Sequence, residues 1–89
     1  MKLKIFTKPD CPNCPAAKML GKKLETHGIK IDWLDLSDDN GLSEAVYFDV
    51  LSTPTLIITD DKDNEIKSWR GEVPLMDLIL KELKIKKGK

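Results

Sequence analysis

Apolar and polar positions along the chain alternate in a way that separates seven segments. Leu3, Ile5 and Phe6 form a short apolar run that stops at Thr7-Lys8-Pro9-Asp10, and Ile31, Trp33, Leu34 and Leu36 form another after His27-Gly28. Short apolar runs bounded by turn residues predict two buried strands. Between them Ala17, Leu20 and Leu24 recur at helical spacing, with Ala16 and Met19 beside them. Lys18, Lys22, Lys23 and Glu25 fall on the outward side, and Gly28 supplies a stop. The two strands of such a strand-helix-strand unit should run parallel.

The second half reads differently. Asn40-Gly41 is expected to end a polar turn, and Leu42 to Val50, with Ala45, Val46 and Phe48, to form a short helix. Thr55 to Thr59 is a β-branched run and Glu65 to Arg70 alternates weakly, as an edge strand does, across the polar turn Asp60 to Asn64. These predict an antiparallel hairpin. After Gly71, Pro74 stands where a first helical turn tolerates proline, and Leu75, Leu78, Ile79 and Leu83 repeat at helical spacing to near Leu83. The predicted order is β-α-β-α-β-β-α, an α/β class.

Length adds one constraint: 89 residues, 40% of them hydrophobic, suit one core and no second. A single domain is expected over residues 1–85, followed by a basic tail over 86–89. No stretch approaches the roughly 20 apolar residues of a membrane span, and Met1-Lys2-Leu3-Lys4 lacks the apolar run of a secretory signal. A cytoplasmic monomer, away from membranes, is the expectation. Fifteen basic and fifteen acidic residues cancel, so no net charge favours nucleic acid. The lysines at 81, 84, 86, 87 and 89 read as a last helical turn complementing its dipole and a solvated tail.

The candidate chemistry lies in two cysteines, three residues apart, in Cys11-Pro12-Asn13-Cys14, where the first strand hands over to the first helix. Too few for a disulfide scaffold, they fit a local redox pair in a reducing compartment. A thiol attacks a disulfide only as the thiolate, which unpaired amides and the dipole at a helix N-terminus stabilise. Cys11, expected to be the more exposed, is the candidate nucleophile. Pro12 and Pro15 have no N–H, so the amides of Asn13 and Cys14 are the candidate donors to its sulfur. Cys14, one turn on, can resolve the mixed disulfide.

Other readings compete. A structural disulfide would close a very small loop and remove little unfolded-state entropy. Zinc needs about four ligands, and two cysteines with the distant His27 do not supply them in one chain, though two chains sharing a four-thiolate or iron-sulfur site would. Inert packing is disfavoured by the turn chemistry of Lys8, Pro9, Asp10 and Asn13. Asp61-Lys62-Asp63-Asn64-Glu65 begins like a calcium loop, but Ile66 replaces the required glycine. Trp33 and Trp69 read as core or edge packing, and His27 as a helix-end surface residue.

With the element order, Cys11-Pro12-Asn13-Cys14 and the later Ser52-Thr53-Pro54-Thr55 resemble the thioredoxin and glutaredoxin superfamily from Leu3 to Leu83, the two motifs standing at that family's separation. The resemblance implies a thioredoxin-like fold, a four-stranded mixed sheet flanked by helices. It implies a cis Pro54 beside the cysteines and a Thr53 whose backbone pairs with substrate, with Pro12 in the contact surface. Starting at the strand before the cysteine pair, and placing proline after its first cysteine, resembles glutaredoxins and small archaeal and bacterial thioredoxin-like proteins. Asn13 replaces the glutaredoxin tyrosine, and Trp69-Arg70-Gly71-Glu72 lacks the paired glycines and aspartate that help hold glutathione. Ile5 stands where typical thioredoxins bury an acid, so proton transfer to Cys14 would use another group or water, or go unassisted, Asp10 being near in sequence but expected to be solvated.

The reading is a thiol-disulfide oxidoreductase reducing protein disulfides. Its electrons would come from a separate NAD(P)H-linked reductase, since the chain has no Gly-rich phosphate loop; no bound cofactor or metal is expected. Glutathione-dependent reduction, or a dimeric metal or iron-sulfur module, are the alternatives.

Overall fold

A computed structural model describes residues 1–87. Its elements, in order, are β1 (Lys2–Thr7), α1 (Cys14–Glu25), β2 (Ile31–Asp35), α2 (Asp39–Tyr47), β3 (Thr55–Thr59), β4 (Glu65–Arg70) and α3 (Met76–Lys87). The four strands form one sheet in the order β2-β1-β3-β4. β1 pairs parallel to β2, with Ile5 opposite Trp33, and antiparallel to β3, with Phe6 opposite Thr55. β3 and β4 form the antiparallel hairpin, with one register shift between Ile58 and Thr59. The mixed α/β sheet expected of the thioredoxin-like fold is therefore present.

Alternation along β1 divides the core. Leu3 and Ile5 point to the face covered by α1 and α3, where they pack with Ala17, Leu20 and Leu24, with Leu56 and Ile58 of β3, and with Ile79 and Leu83. Phe6 points to the other face and packs with Leu34, Ile57, Ala45, Phe48 and Val50. Each of these leucine, isoleucine, valine and phenylalanine side chains, fully buried, contributes roughly 1.5–3 kcal/mol. The central strands β1 and β3 are buried on both faces, and that makes their short apolar runs legible.

Local chemistry sets the element ends. Pro15 occupies the first turn of α1, where its missing N–H costs nothing, and Lys22 and Lys23 occupy the last. Gly28, at φ +80°, lets the chain turn out of the helix. In the β3–β4 turn the Asp60 carboxylate accepts hydrogen bonds from the backbone N–H of Lys62 (2.8 Å) and Asn64 (2.9 Å), while Asp63 adopts φ +63°. That carboxylate serves the turn, in keeping with the hairpin reading of the calcium-like run.

Three expectations are corrected. Asn40-Gly41 is not the end of a turn but lies in the first turn of α2, with Gly41 buried against β2. Pro74 precedes α3, which starts at Met76, and Leu75 and Leu78 are exposed while Ile79 and Leu83 face the core. α3 also continues past Leu83 through Lys87, so the first two residues of the expected basic tail are helical; residues 88 and 89 lie outside the described residues. Trp33 sits on the edge strand β2, its indole against Gly21 and its Nε1 donating to Glu25 (3.0 Å).

Candidate active site

The loop between β1 and α1 carries both cysteines. Pro9 turns the chain, the Cys11 N–H donating to its carbonyl (2.7 Å), and Asn13 is the N-cap from which α1 begins at Cys14. Cys11 and Cys14 are joined by a disulfide, their Cα atoms 5.3 Å apart. Cys11 retains 8% of its surface and Cys14 only 2%, so Cys11 is the more exposed of the two. Pro12 and Asn13 between them are exposed.

Of the two amides considered as donors to the Cys11 sulfur, that of Cys14 points to the Cys11 carbonyl (3.3 Å) in this oxidised form. The pair nonetheless stands at the positive end of α1, which favours a thiolate once the bond is reduced.

Strand register brings the second motif to the same place. Because Phe6 is opposite Thr55, continuing the antiparallel ladder puts Pro54 beside Thr7, where the Cys11 loop leaves the sheet. The Thr53–Pro54 peptide bond is cis. Two hydrogen bonds hold this loop: Thr55 Oγ1 donates to the Ser52 carbonyl (2.7 Å), and the Gly71 N–H donates to the Pro54 carbonyl (2.8 Å). Among the described residues no backbone hydrogen bond engages Thr53, which is half-buried.

Pro54 itself is fully buried and therefore shapes the loop without offering open apolar surface. The apolar surface nearby in sequence belongs instead to Leu51, 89% exposed, and beyond Gly71 to Leu75. Neither was singled out as a contact residue; a leucine in a loop next to the Thr53–Pro54 motif was the available signal. Ile5, at the family's buried-acid position, is fully buried and has no proton to give. His27 is remote, its Nδ1 3.0 Å from the Lys23 carbonyl at the end of α1. Among the described residues no group of three or more His, Cys, Asp or Glu side chains converges as a metal site. Nor is any described helix long and apolar enough to cross a membrane.

A family model described as Glutaredoxin matches residues 3–62, spanning β1 through the β3–β4 turn. The chain belongs to the glutaredoxin family, within the wider thioredoxin and glutaredoxin superfamily. It is 39% identical over 59 residues to a probable thioredoxin of Archaeoglobus fulgidus, an alignment covering 65% of each chain, so just under two thirds of that relative is matched. It is 25% identical over 64 residues to a thioredoxin of Methanocaldococcus jannaschii, covering 68% of this chain and 73% of that one. In fold it is similar to thioredoxin 1 of Thermosipho africanus TCF52B, with TM-score 0.70, 23% identity and 98% and 99% of the two chains covered. The malaria parasite's thioredoxin-2 superposes with TM-score 0.72 at 21% identity, covering 92% of this chain and 79% of that one. This glutaredoxin-family chain thus has a thioredoxin fold in which the two cysteines stand at disulfide distance.

Proposed function

We propose that this protein reduces protein disulfides as a dithiol carrier, with Cys11 as nucleophile and Cys14 as resolving thiol. One observation carries the reading: the Cys11–Cys14 disulfide stands at the start of α1, beside a loop whose Thr53 backbone is unpaired among the described residues.

In the reduced form the Cys11 thiolate attacks one sulfur of a substrate disulfide. That bond breaks, the distal substrate sulfur leaves as a thiolate and takes a proton, and Cys11 is left in a mixed disulfide. Cys14 then loses its proton and attacks Cys11 Sγ, releasing the second substrate thiol and restoring the intramolecular bond. Two electrons have passed to the substrate. During the exchange Thr53 N–H and carbonyl pair with the substrate backbone, and Pro12 and the Pro54 loop flank it. The carrier regains two electrons from a separate NAD(P)H-linked disulfide reductase in the cytoplasm.

Glutathione as the electron source is the second reading, favoured by the Glutaredoxin match. The sequence Trp69-Arg70-Gly71-Glu72, without paired glycines, supports the reductase instead.

The test equilibrates metal-free protein across defined redox buffers and counts alkylatable thiols by intact mass. Both thiols should disappear in one two-electron step between roughly −300 and −200 mV. Thiols that titrate singly, or fail to pair, would overturn the carrier reading. Recovery of both thiols with reduced glutathione alone, at a rate matching a reductase, would favour the second reading.

A further inference from the structure

The chain's zero net charge conceals a segregation. From Ile31 to Asp61 it holds eight acidic residues and no lysine or arginine, whereas residues 1–30 hold seven basic and two acidic ones. The fold places the helices of the two blocks on opposite faces of the sheet, while Lys4 of the first block is paired on the α2 face with Asp32 and Glu44 of the second. α1 presents exposed Lys18, Lys22 and Lys23 on one side, and α2 with its flanks presents exposed Asp38, Asp39 and Asp49 on the other.

Within the acidic face lies uncovered apolar surface. Gly41, Ala45 and Phe48 turn α2 toward the sheet, leaving Leu42 (51% exposed), Val46 (73%) and Tyr47 (71%) outward. The Tyr47 ring is steadied edge-on by Phe48, with centroids 4.8 Å apart, and borders a groove of about 260 Å³ shared with Glu44 and Asp63. Leu51, 89% exposed, stands in sequence between this helix and Ser52-Thr53-Pro54. At its other end the Leu36 N–H donates to the Thr7 carbonyl (2.9 Å), which sets the Asp35–Asp39 segment beside the strand end that leads to Cys11. A steadied aromatic with neighbouring aliphatics inside a charged rim is the anatomy of a protein contact.

We propose that the α2 face docks protein substrates whose disulfide is flanked by lysine or arginine. Their apolar residues meet Leu42, Val46, Tyr47 and Leu51 while their cations meet Asp38, Asp39 and Asp49. The proposal rests on the dithiol-carrier reading and names the substrate class for it. A second copy is the poorer occupant, because a two-fold pairing through this face would set its aspartates against themselves.

The test uses two peptides, each with one intramolecular disulfide, identical except that flanking positions are lysine in one and glutamate in the other. Bis(2-hydroxyethyl) disulfide serves as a small neutral control. At low ionic strength the reduced protein should reduce the lysine peptide about 10-fold faster than the glutamate peptide, a preference that high salt erases. The double variant Asp38→Asn/Asp39→Asn should lose most of that preference, and Leu42→Ser/Val46→Ser should slow both peptides, with thermal unfolding and the neutral control unchanged. Equal peptide rates at low salt, with the control reduced normally, would overturn the docking proposal and leave the carrier reading intact. Failure to reduce any of the three would overturn the carrier reading itself. A salt-sensitive dimer in sedimentation, abolished by the same variants, would assign the face to a second copy and likewise overturn the proposal.

Discussion

Gly41 lies against the backbone carbonyl of Asp35, closer than any side chain at that position would permit. The contact seats α2 on the end of β2. An added methyl would meet the oxygen, carbon and nitrogen of Asp35, and backbone cannot swing aside as a flexible side chain can. Gly41→Ala should therefore lower the unfolding free energy by about 3 kcal/mol, at the upper end of overpacking costs, as measured by urea titration. Gly28→Ala is the control: its φ of +80° strains a side chain, but nothing lies within 4 Å, so a loss of only about 1 kcal/mol is expected.

The two cysteines should separate cleanly by variant. Cys14→Ser keeps the nucleophile and removes the resolving thiol, so mixing it with a disulfide protein should accumulate a one-to-one covalent adduct visible by non-reducing mass analysis. Cys11→Ser should form no such adduct and lose turnover completely, because Cys14 is left 2% exposed and out of reach. Equal adduct yields from both variants would mean that the assigned order of attack is wrong.

What the sequence made legible was governed by burial. β3 and β4 fall on Thr55–Thr59 and Glu65–Arg70, the ranges their patterns predicted, because one is buried throughout and the other alternates at the sheet edge. The first motif, too, could be placed at the strand-to-helix junction from local chemistry alone. Its neighbourhood with Pro54 came from resemblance, since the pairing of β1 with β3 joins residues about fifty positions apart and leaves no local trace. The first turn of α2 was misread because Asn40-Gly41 carries turn chemistry, while the reason for glycine there, the Asp35 backbone, lies in another element. Lys4 was hidden in the same way. A lysine alternating with Leu3 and Ile5 reads as solvent-facing until α2 covers that face and supplies Glu44.

Lys4 is 3% exposed on the central strand, with Nζ 3.1 Å from Asp32, 3.3 Å from Glu44 and 5.7 Å above the Phe48 ring. Burial opposes its charge, but the hydrogen bonds to Asp32 and Glu44 and their negative charge outweigh burial and raise its pKa above the ordinary lysine value. A raised folded-state pKa contributes stability that is fully present below the unfolded lysine value, about 10.4, and is lost as pH rises through the folded value. Urea midpoints of the native protein should thus fall above about pH 10.4 by an amount that Lys4→Met does not show. At neutral pH Lys4→Ala should be more damaging than Lys4→Met, which fills the same space over Phe48.

Asp60 makes the opposite prediction in acid. The Asn64 N–H and side-chain amide, with the Lys62 N–H, all donate to its carboxylate and hold its pKa below the ordinary aspartate value. A depressed folded-state pKa contributes stability present above the unfolded value, about 3.9, and lost as pH falls through the folded one. Asp60→Ala should lower the urea midpoint at pH 7, and the gap to the native protein should narrow once both are taken well below pH 3.9. Because those donors also fix the path of the β3–β4 turn, amide exchange should quicken at Lys62 and Asn64 in the variant while that of the buried β1 amides changes only with global stability. A gap that stays constant from pH 7 to pH 2 would mean that Asp60 acts through packing or turn propensity and not through its ionised carboxylate.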